Sequence, residues 1–105
     1  MAKTMISVAR DFSKYPAGRF RQDGKFTGEA FREDFLLPAL KKGDVEVDLD
    51  GTLGYGSSFL EEAFGGLVRE HSMSPSDLHA HLTLKGGTKS VRREIWNYIE
   101  GRYQG

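Results

Sequence analysis

The segment from Val45 to Val68 constrains the fold of this chain more than any other part of its sequence. Residues 45–50 alternate an aliphatic side chain with an acidic one, a period of two that predicts a strand with one buried face. Glycines recur in the loop 51–56, and from Ser57 onward apolar residues repeat at helical spacing. A strand followed by a loop and a helix predicts a crossover connection in a mixed or mainly parallel sheet.

Shorter alternating segments elsewhere bring the expected number of strands to about four. Because helices follow strands along the chain, the order of elements predicts an α/β fold with about four strands and three main helices. The length of 105 residues suits a single domain, residues 1–105. The strands are predicted at Ile6–Val8, Arg19–Arg21, Val45–Asp50 and His81–Lys85.

Helix start and stop signals locate the three main helices. Thr27 is predicted to cap the first helix, residues 57–68 lie in the second, and the third follows Gly86-Gly87-Thr88. Pro38 is expected to stop or bend the first helix, because its ring and missing N–H disfavour a helix interior, with Gly43 ending the segment. A short helical turn is predicted where Ser74 precedes a proline.

Charge and cysteine content narrow the classes of protein. Fifteen basic residues balance fifteen acidic ones, so no overall field draws the chain to nucleic acid or an anionic membrane. The absence of cysteine excludes disulfides, thiolate zinc sites and a cysteine nucleophile, and fits a reducing compartment. Because residues 1–8 lack the apolar core of a signal peptide, we expect a cytoplasmic protein with no membrane contact.

The histidines form no recognisable catalytic or metal-binding set. His79 and His81 would project from one strand face, but no third ligand accompanies them, which favours surface histidines over a zinc centre. The same histidines lack a nucleophile and an acid for a catalytic triad. The sequence therefore predicts a protein that is not an enzyme and that uses no metal and no cofactor.

Four short runs occur together in the order found in a known family, and they are Pro16–Arg19, Thr27–Arg32, Val45–Gly51 and Gly56–Phe64. With these runs the chain resembles the STAS-like domains of unknown function, which are related to the anti-sigma factor antagonists. The resemblance extends over about residues 6–99 and is most specific at Ser57-Ser58-Phe59, with the acidic pair Glu61-Glu62 behind it.

The resemblance implies a regulatory domain that binds another protein. In anti-sigma factor antagonists a partner kinase phosphorylates a serine between the central strand and the next helix, and the unmodified domain binds that partner. Ser57 is the matching position, and Ser58 lies beside it. The resemblance therefore implies phosphorylation at Ser57 and a partner of the histidine-kinase-type ATPase class, although Gly56 and Phe59 depart from the antagonist pattern.

The surface from Tyr55 to Glu62 is the expected docking surface. Tyr55 and Phe59 would serve as apolar anchors, since aromatic residues are over-represented among those that dominate binding energy, although Phe59 also suits the core. Glu61 and Glu62 would add charge to this surface. A structural alternative is that Ser58 and Glu61, three residues apart, form a capping box at the helix start.

Two weaker candidate sites follow neighbouring strands. Asp48 and Asp50 lie near the carboxyl end of their strand, where they would meet a basic partner or coordinate Mg²⁺, or form a solvated face ending in a turn. Gly86, Gly87 and Thr88 precede a helix and would cradle an anion through backbone amides, or simply form a turn. Their spacing does not match a Walker motif.

The residues leave a second function open. A small inhibitor or accessory protein of a nucleic-acid-processing complex would present the acidic strand face, Glu46, Asp48 and Asp50, to a basic site on that complex. Direct nucleic-acid binding is disfavoured by the zero net charge, and the basic side chains are expected to be solvated. The sequence carries no signal for an oligomeric state.

Overall fold

Three parallel strands form the sheet of this protein. The computed structural model describes residues 3–102, in which β1 (Thr4–Ser7), β2 (Val45–Asp48) and β3 (Leu82–Lys85) pair in the order β1-β2-β3. Both pairings are parallel, with Val45 opposite Thr4 on one side and Leu82 on the other. The predicted α/β class is confirmed.

The expected strand at residues 19–21 is wrong, so the sheet has three strands within residues 3–102 rather than about four. Arg21–Asp23 instead forms a 3-10 turn. The N–H groups of Phe20 and Arg21 donate to the carboxylates of Asp23 and Glu29 at 3.0 and 2.8 Å. Side chains therefore satisfy the donors that a strand would offer to its neighbour.

Two long helices contain a widened turn each. The π-helical turns Arg32–Leu36 and Glu61–Gly65 each join two α-helices without a break, giving continuous helices over residues 28–42 and 57–71. A third π-helical turn, Val8–Phe12, follows β1. The α-helices are α1 (Gly28–Phe31), α2 (Leu37–Lys42), α3 (Ser57–Leu60), α4 (Gly66–His71), α5 (Pro75–His81) and α6 (Lys89–Ile99).

Capping side chains act at the predicted starts of three helices. Thr27 accepts a hydrogen bond from the N–H of Ala30 at the start of α1, at 3.3 Å. Ser74 and Thr88 do the same for α5 and α6, each accepting at 3.1 Å from an N–H three residues ahead. The helix α5 is longer than the single turn expected and includes His81, so β3 begins only at Leu82.

The first long helix passes through Pro38 instead of ending there. Pro38 is the second residue of α2, directly after the π-helical turn. The N–H of Leu37 donates to the carbonyl of Arg32, five residues earlier, so the regular hydrogen-bond ladder is already displaced when it reaches the proline. The missing donor of Pro38 therefore costs little, and the helix runs on to its predicted cap at Gly43.

The helices cover one face of the sheet and leave the other open. Right-handed crossovers between neighbouring parallel strands place their helices on the same face. On that face Val45 and Val47 are fully buried, whereas Met5, on the opposite face, is 61% exposed. Parallel sheets are usually covered on both faces, so this open face is uncommon.

Phenylalanine rings join the π-helical turn after β1 to both long helices. The ring of Phe12 lies 5.1 Å from that of Phe31, 5.4 Å from that of Phe35 and 6.1 Å from that of Phe59, between centroids. Phe31 and Phe59 are completely buried. Aromatic pairs at such distances add about 0.5–1.5 kcal/mol beyond their burial, so they hold this turn in place.

A largely buried ion cluster joins the two long helices; we call Arg19, Arg32, Glu61, Glu62 and Arg69 the arginine–glutamate cluster. Arg32 donates to the carboxylate of Glu62 at 2.7 Å and to its backbone carbonyl at 2.6 Å. The carboxylates of Glu61 and Glu62 each accept from both Arg19 and Arg69. Because Arg32 and Glu62 are only 4% and 3% exposed, their charges are compensated inside the fold.

The cluster occupies the position where the two π-helical turns meet. Arg32 belongs to the first turn, and Glu61 and Glu62 belong to the second. Gly66 leaves space for the guanidinium, because a Cβ there would lie 2.1 Å from Nη1 of Arg32. Burial opposes the charged form of Arg32, but hydrogen bonds to Glu33 and Glu62 outweigh it and raise the pKa of Arg32.

Replacing Arg32 with Met should destabilise the fold strongly, because the buried carboxylate of Glu62 loses its nearest cation. Removing one member of a buried pair costs about 3–5 kcal/mol. The matched control is Arg21→Met, which breaks a pair with Asp34 whose side chains are 49% and 52% exposed and should therefore change stability far less, because solvent screens exposed ion pairs. Urea unfolding measures both losses, and similar values would show that the cluster is not a main source of stability.

Candidate functional site

The connections after the carboxyl ends of the three strands assemble along one edge of the sheet, which we call the carboxyl edge. They are residues 8–27, 49–56 and 86–88. Backbone hydrogen bonds join them, from the N–H of Leu49 to the carbonyl of Lys85 at 2.8 Å and from the N–H of Leu53 to the carbonyl of Lys14 at 3.0 Å. Open α/β sheets bind their ligands at this edge.

Ser57 and Ser58 are exposed at the carboxyl edge as the first two residues of α3. The N-cap residue is Gly56, and no side chain accepts a capping hydrogen bond there. The capping box considered for Ser58 and Glu61 is therefore wrong, because Glu61 turns inward to the arginine–glutamate cluster. The two serine hydroxyls stand at the helix start without capping it.

The Ser57 side chain lies against helix α6 through Tyr98. The Ser57 hydroxyl is near enough to Tyr98 to influence its pKa, and the Tyr98 hydroxyl donates to the carboxylate of Glu94 at 2.6 Å. Burial raises the pKa of Tyr98, the carboxylate of Glu94 adds to the increase, and the nearby Ser57 hydroxyl opposes it. Negative charge placed on Ser57 would therefore lie close to an existing carboxylate.

Four side chains predicted for the docking surface differ in accessibility. Tyr55 is partly buried, and its hydroxyl donates to the carbonyl of Leu49 at 2.8 Å, while burial raises its pKa. Phe59 is 0% exposed. Glu61 and Glu62 are 9% and 3% exposed within the cluster. Phe59, Glu61 and Glu62 are therefore withdrawn from the docking surface, because they pack the core and join the helices.

The loop predicted to bind an anion already holds a carboxylate of the chain itself. Asp50 accepts from the N–H of Gly87 at 2.7 Å, and Asp48 accepts from the N–H of Asp50 at 2.9 Å. Gly86 has a φ of 73°, and a Cβ there would lie 2.6 Å from an Asp50 oxygen. Gly86, Gly87 and Thr88 thus form a turn around Asp50, and an external anion would have to displace that carboxylate.

A cleft of about 310 Å³ opens beside this turn. Tyr55 and Val91 give it apolar walls, and Asp50, Thr52 and Thr88 give it polar ones. Its volume is at the lower limit for small-molecule sites, which span roughly 300–1,000 Å³. The cleft lies between the loop after β2 and the start of α6.

The face predicted to be acidic carries both signs of charge. Glu46 lies 3.3 Å from Nζ of Lys3 and 3.9 Å from Nζ of Lys85. Lys85 is also the register partner of Asp48 across the sheet. Cations therefore alternate with the acidic side chains, and this face is less acidic than the strand sequence alone indicates.

The histidines pair with separate carboxylates. His71 lies 2.6 Å from Glu33, and His81 lies 2.7 Å from Asp44. His79 contacts Glu100 and stacks on Trp96 with ring centres 4.2 Å apart. Across residues 3–102 no group of three or more His, Asp or Glu side chains is arranged to hold a metal ion.

Sequence reasoning did not find Tyr15, Phe26 and Leu53 as surface residues. They are 66%, 42% and 79% exposed, in loops of the carboxyl edge. An aromatic beside a Pro-Ala-Gly turn and a leucine among glycines were the available signals. The arginine–glutamate cluster was also missed, because its members are far apart in sequence and resemble ordinary surface charges.

The sheet and its one-sided helices define a small α/β domain of STAS-like type. Residues 27–92, more than half of the chain, match the sequence profile described as STAS-like domain of unknown function (DUF4325). The protein therefore belongs to this STAS-like family. Neither curated proteins nor solved structures give a significant match. No helix within residues 3–102 combines the length and apolar character needed to cross a membrane.

Replacing Asp50 with Ala should weaken the turn between β3 and α6, because the N–H of Gly87 loses its acceptor. The loss of such a charged hydrogen bond is expected to cost about 1–3 kcal/mol, and Asp50→Asn, which retains an acceptor oxygen, should cost less. Thermal unfolding measures both. Inorganic phosphate should raise the Tm of Asp50→Ala more than that of the wild type, and an equal increase in both proteins would contradict an occupied turn.

Proposed function

We propose that this protein is a non-enzymatic regulatory module that binds a partner protein at its carboxyl edge and is switched by phosphorylation of Ser57. The observation that supports it best is that Ser57 and Ser58 are exposed at the start of a long helix without capping it. Membership of the STAS-like family adds support, because the related anti-sigma factor antagonists are modified at a serine between strand and helix. The partner would be a histidine-kinase-type ATPase in the cytoplasm.

Phosphorylation would change the charge of this surface without requiring the fold to open. The Ser57 oxygen bonds to the γ-phosphorus of ATP as the bond from that phosphorus to the bridging oxygen breaks, releasing ADP and the hydroxyl proton. The phosphate carries about −1.5 to −2 charges at pH 7. The positive end of the helix favours such a charge by about 0.3–1 kcal/mol, whereas Glu94, bonded to Tyr98, opposes it.

The proposed switch acts on binding through this local charge. A partner that docks on the unmodified carboxyl edge meets the two neutral hydroxyls of Ser57 and Ser58. After phosphorylation the same partner meets a charge of up to about −2, which disfavours a partner of like charge. The rival acidic-face hypothesis has weaker support, because Lys3 and Lys85 flank Glu46.

Replacing Ser57 with Asp should weaken partner binding by about tenfold or more, while Ser57→Ala should bind like the wild type. The partner is first recovered by affinity purification from the native cell with mass spectrometry, which also records phosphosites. Its affinity for each variant is then measured by calorimetry. Because Ser57 is exposed, the Tm of both variants should change little.

Ser90→Asp is the matched control for this experiment. Ser90 is also exposed and lies in the first turn of its helix, α6, one position further into the helix than Ser57 is in α3. The control introduces the same charge in an equivalent first turn and should leave partner affinity unchanged. Equal losses of affinity in the Ser57 and Ser90 variants, or a parallel loss of Tm and affinity, would refute a switch at Ser57.

A further inference from the structure

Exposed apolar side chains are concentrated at the carboxyl edge. Of the five large apolar side chains that are at least 42% exposed among the described residues, only Met5 lies on the open sheet face. Tyr15, Phe26 and Leu53 belong to the connections after β1 and β2, and Phe20 lies in the same loop as Phe26. Contiguous exposed apolar groups in a small domain often mark an interaction surface.

The three segments that carry these side chains are joined to one another. The N–H of Leu53 donates to the carbonyl of Lys14 at 3.0 Å, directly before Tyr15. The N–H of Ala17 donates to the carbonyl of Phe26 at 2.9 Å. The ring of Phe26 packs edge-on against that of Phe12, with centroids 5.5 Å apart. We call Tyr15, Phe26 and Leu53 the edge surface.

Two of the charges next to the edge surface are basic and unpaired. Lys14 and Lys25 are exposed, and neither forms a salt bridge with any residue in the described part of the chain. The nearby carboxylates are already engaged, since Asp11 pairs with Arg10 and Asp23 accepts from the N–H of Phe20. The surface therefore offers cations that lack an acidic partner.

We propose that the edge surface binds an acidic peptide segment of the partner protein, with an apolar side chain packed against Tyr15 and Leu53 and flanking carboxylates at Lys14 and Lys25. This proposal rests on the proposed function and specifies the chemistry of its partner. It also explains why phosphorylation of Ser57 would weaken partner binding. Leu53 is four residues before Ser57 in the chain, so a phosphate at Ser57 would repel an acidic segment bound there.

An anionic membrane is a weaker fit to the same surface. Sites for anionic lipids that can be recognised from sequence contain clusters of about 4–8 basic residues. Only two unpaired lysines flank the edge surface, and the whole chain has a net charge of zero. A protein segment requires fewer charges, because directional contacts and a packed apolar anchor supply the remaining affinity.

The test is a display library of random short peptides selected on the full chain, with counter-selection on a Lys14→Glu, Leu53→Ser, Lys25→Glu variant. Enriched peptides should carry Asp or Glu beside Leu, Phe, Tyr or Trp. Their affinity should fall by about tenfold or more in that variant. Amide NMR shifts on peptide addition should concentrate in residues 12–17, 25–27 and 51–55.

Two control variants match the substitutions at the edge surface. Met5→Ser removes an apolar side chain of similar exposure, 61%, on the open sheet face. Lys41→Glu reverses an exposed lysine at the end of α2, which leads to the amino end of β2. Both should leave peptide affinity unchanged. Enrichment of basic peptides, absence of selected peptides, or binding of phosphatidylserine vesicles without peptide binding would each overturn the proposal.

The same variants separate this proposal from the phosphorylation switch. If the selected peptides bind at the edge surface but Ser57→Asp does not lower their affinity, the surface is supported and the switch is refuted. If Ser57→Asp abolishes binding of the native partner, whereas Leu53→Ser and Lys14→Glu bind it like the wild type, the switch is supported and the edge surface is refuted.

Discussion

The two long helices depend on charges that lie between them and not at their surface. Arg32 and Glu62 would each be strongly unfavourable in this position if alone, and their direct contact makes the burial tolerable. The arginine–glutamate cluster therefore fixes the distance and rotation of the helix 57–71 relative to the helix 28–42. Because Ser57 begins that helix, the position of the candidate switch depends in part on Arg32 and Glu62, which are buried beneath the surface.

The sequence was most informative where a pattern is local. The alternation in Val45–Asp50, the cap at Thr27 and the class of fold could be predicted, because each depends on residues that are adjacent in the chain. The strand expected at Arg19–Arg21 failed because its donors bond to Asp23 and Glu29, a competition that alternation does not reveal.

The candidate site was predictable in position but less so in detail. A serine pair after a glycine loop could be located from sequence, whereas its missing cap depended on Glu61 turning toward distant arginines. Burial of Phe59 and the contact between Asp50 and Gly87 likewise depend on pairings across the fold. The exposed Leu53 was not predicted, because a loop leucine gives no periodic signal and only its glycine neighbours pointed to the surface.

The π-helical turn Glu61–Gly65 makes the second long helix sensitive to length and not only to composition. Each residue of a helix rotates the following chain by about 100°. Deleting one residue from this turn would rotate Arg69 away from both glutamates. The apolar residues of α4 would all still be present in the sequence. Insertions and deletions here would therefore be more damaging than most substitutions, and related chains should keep a constant spacing between the serine pair and this arginine.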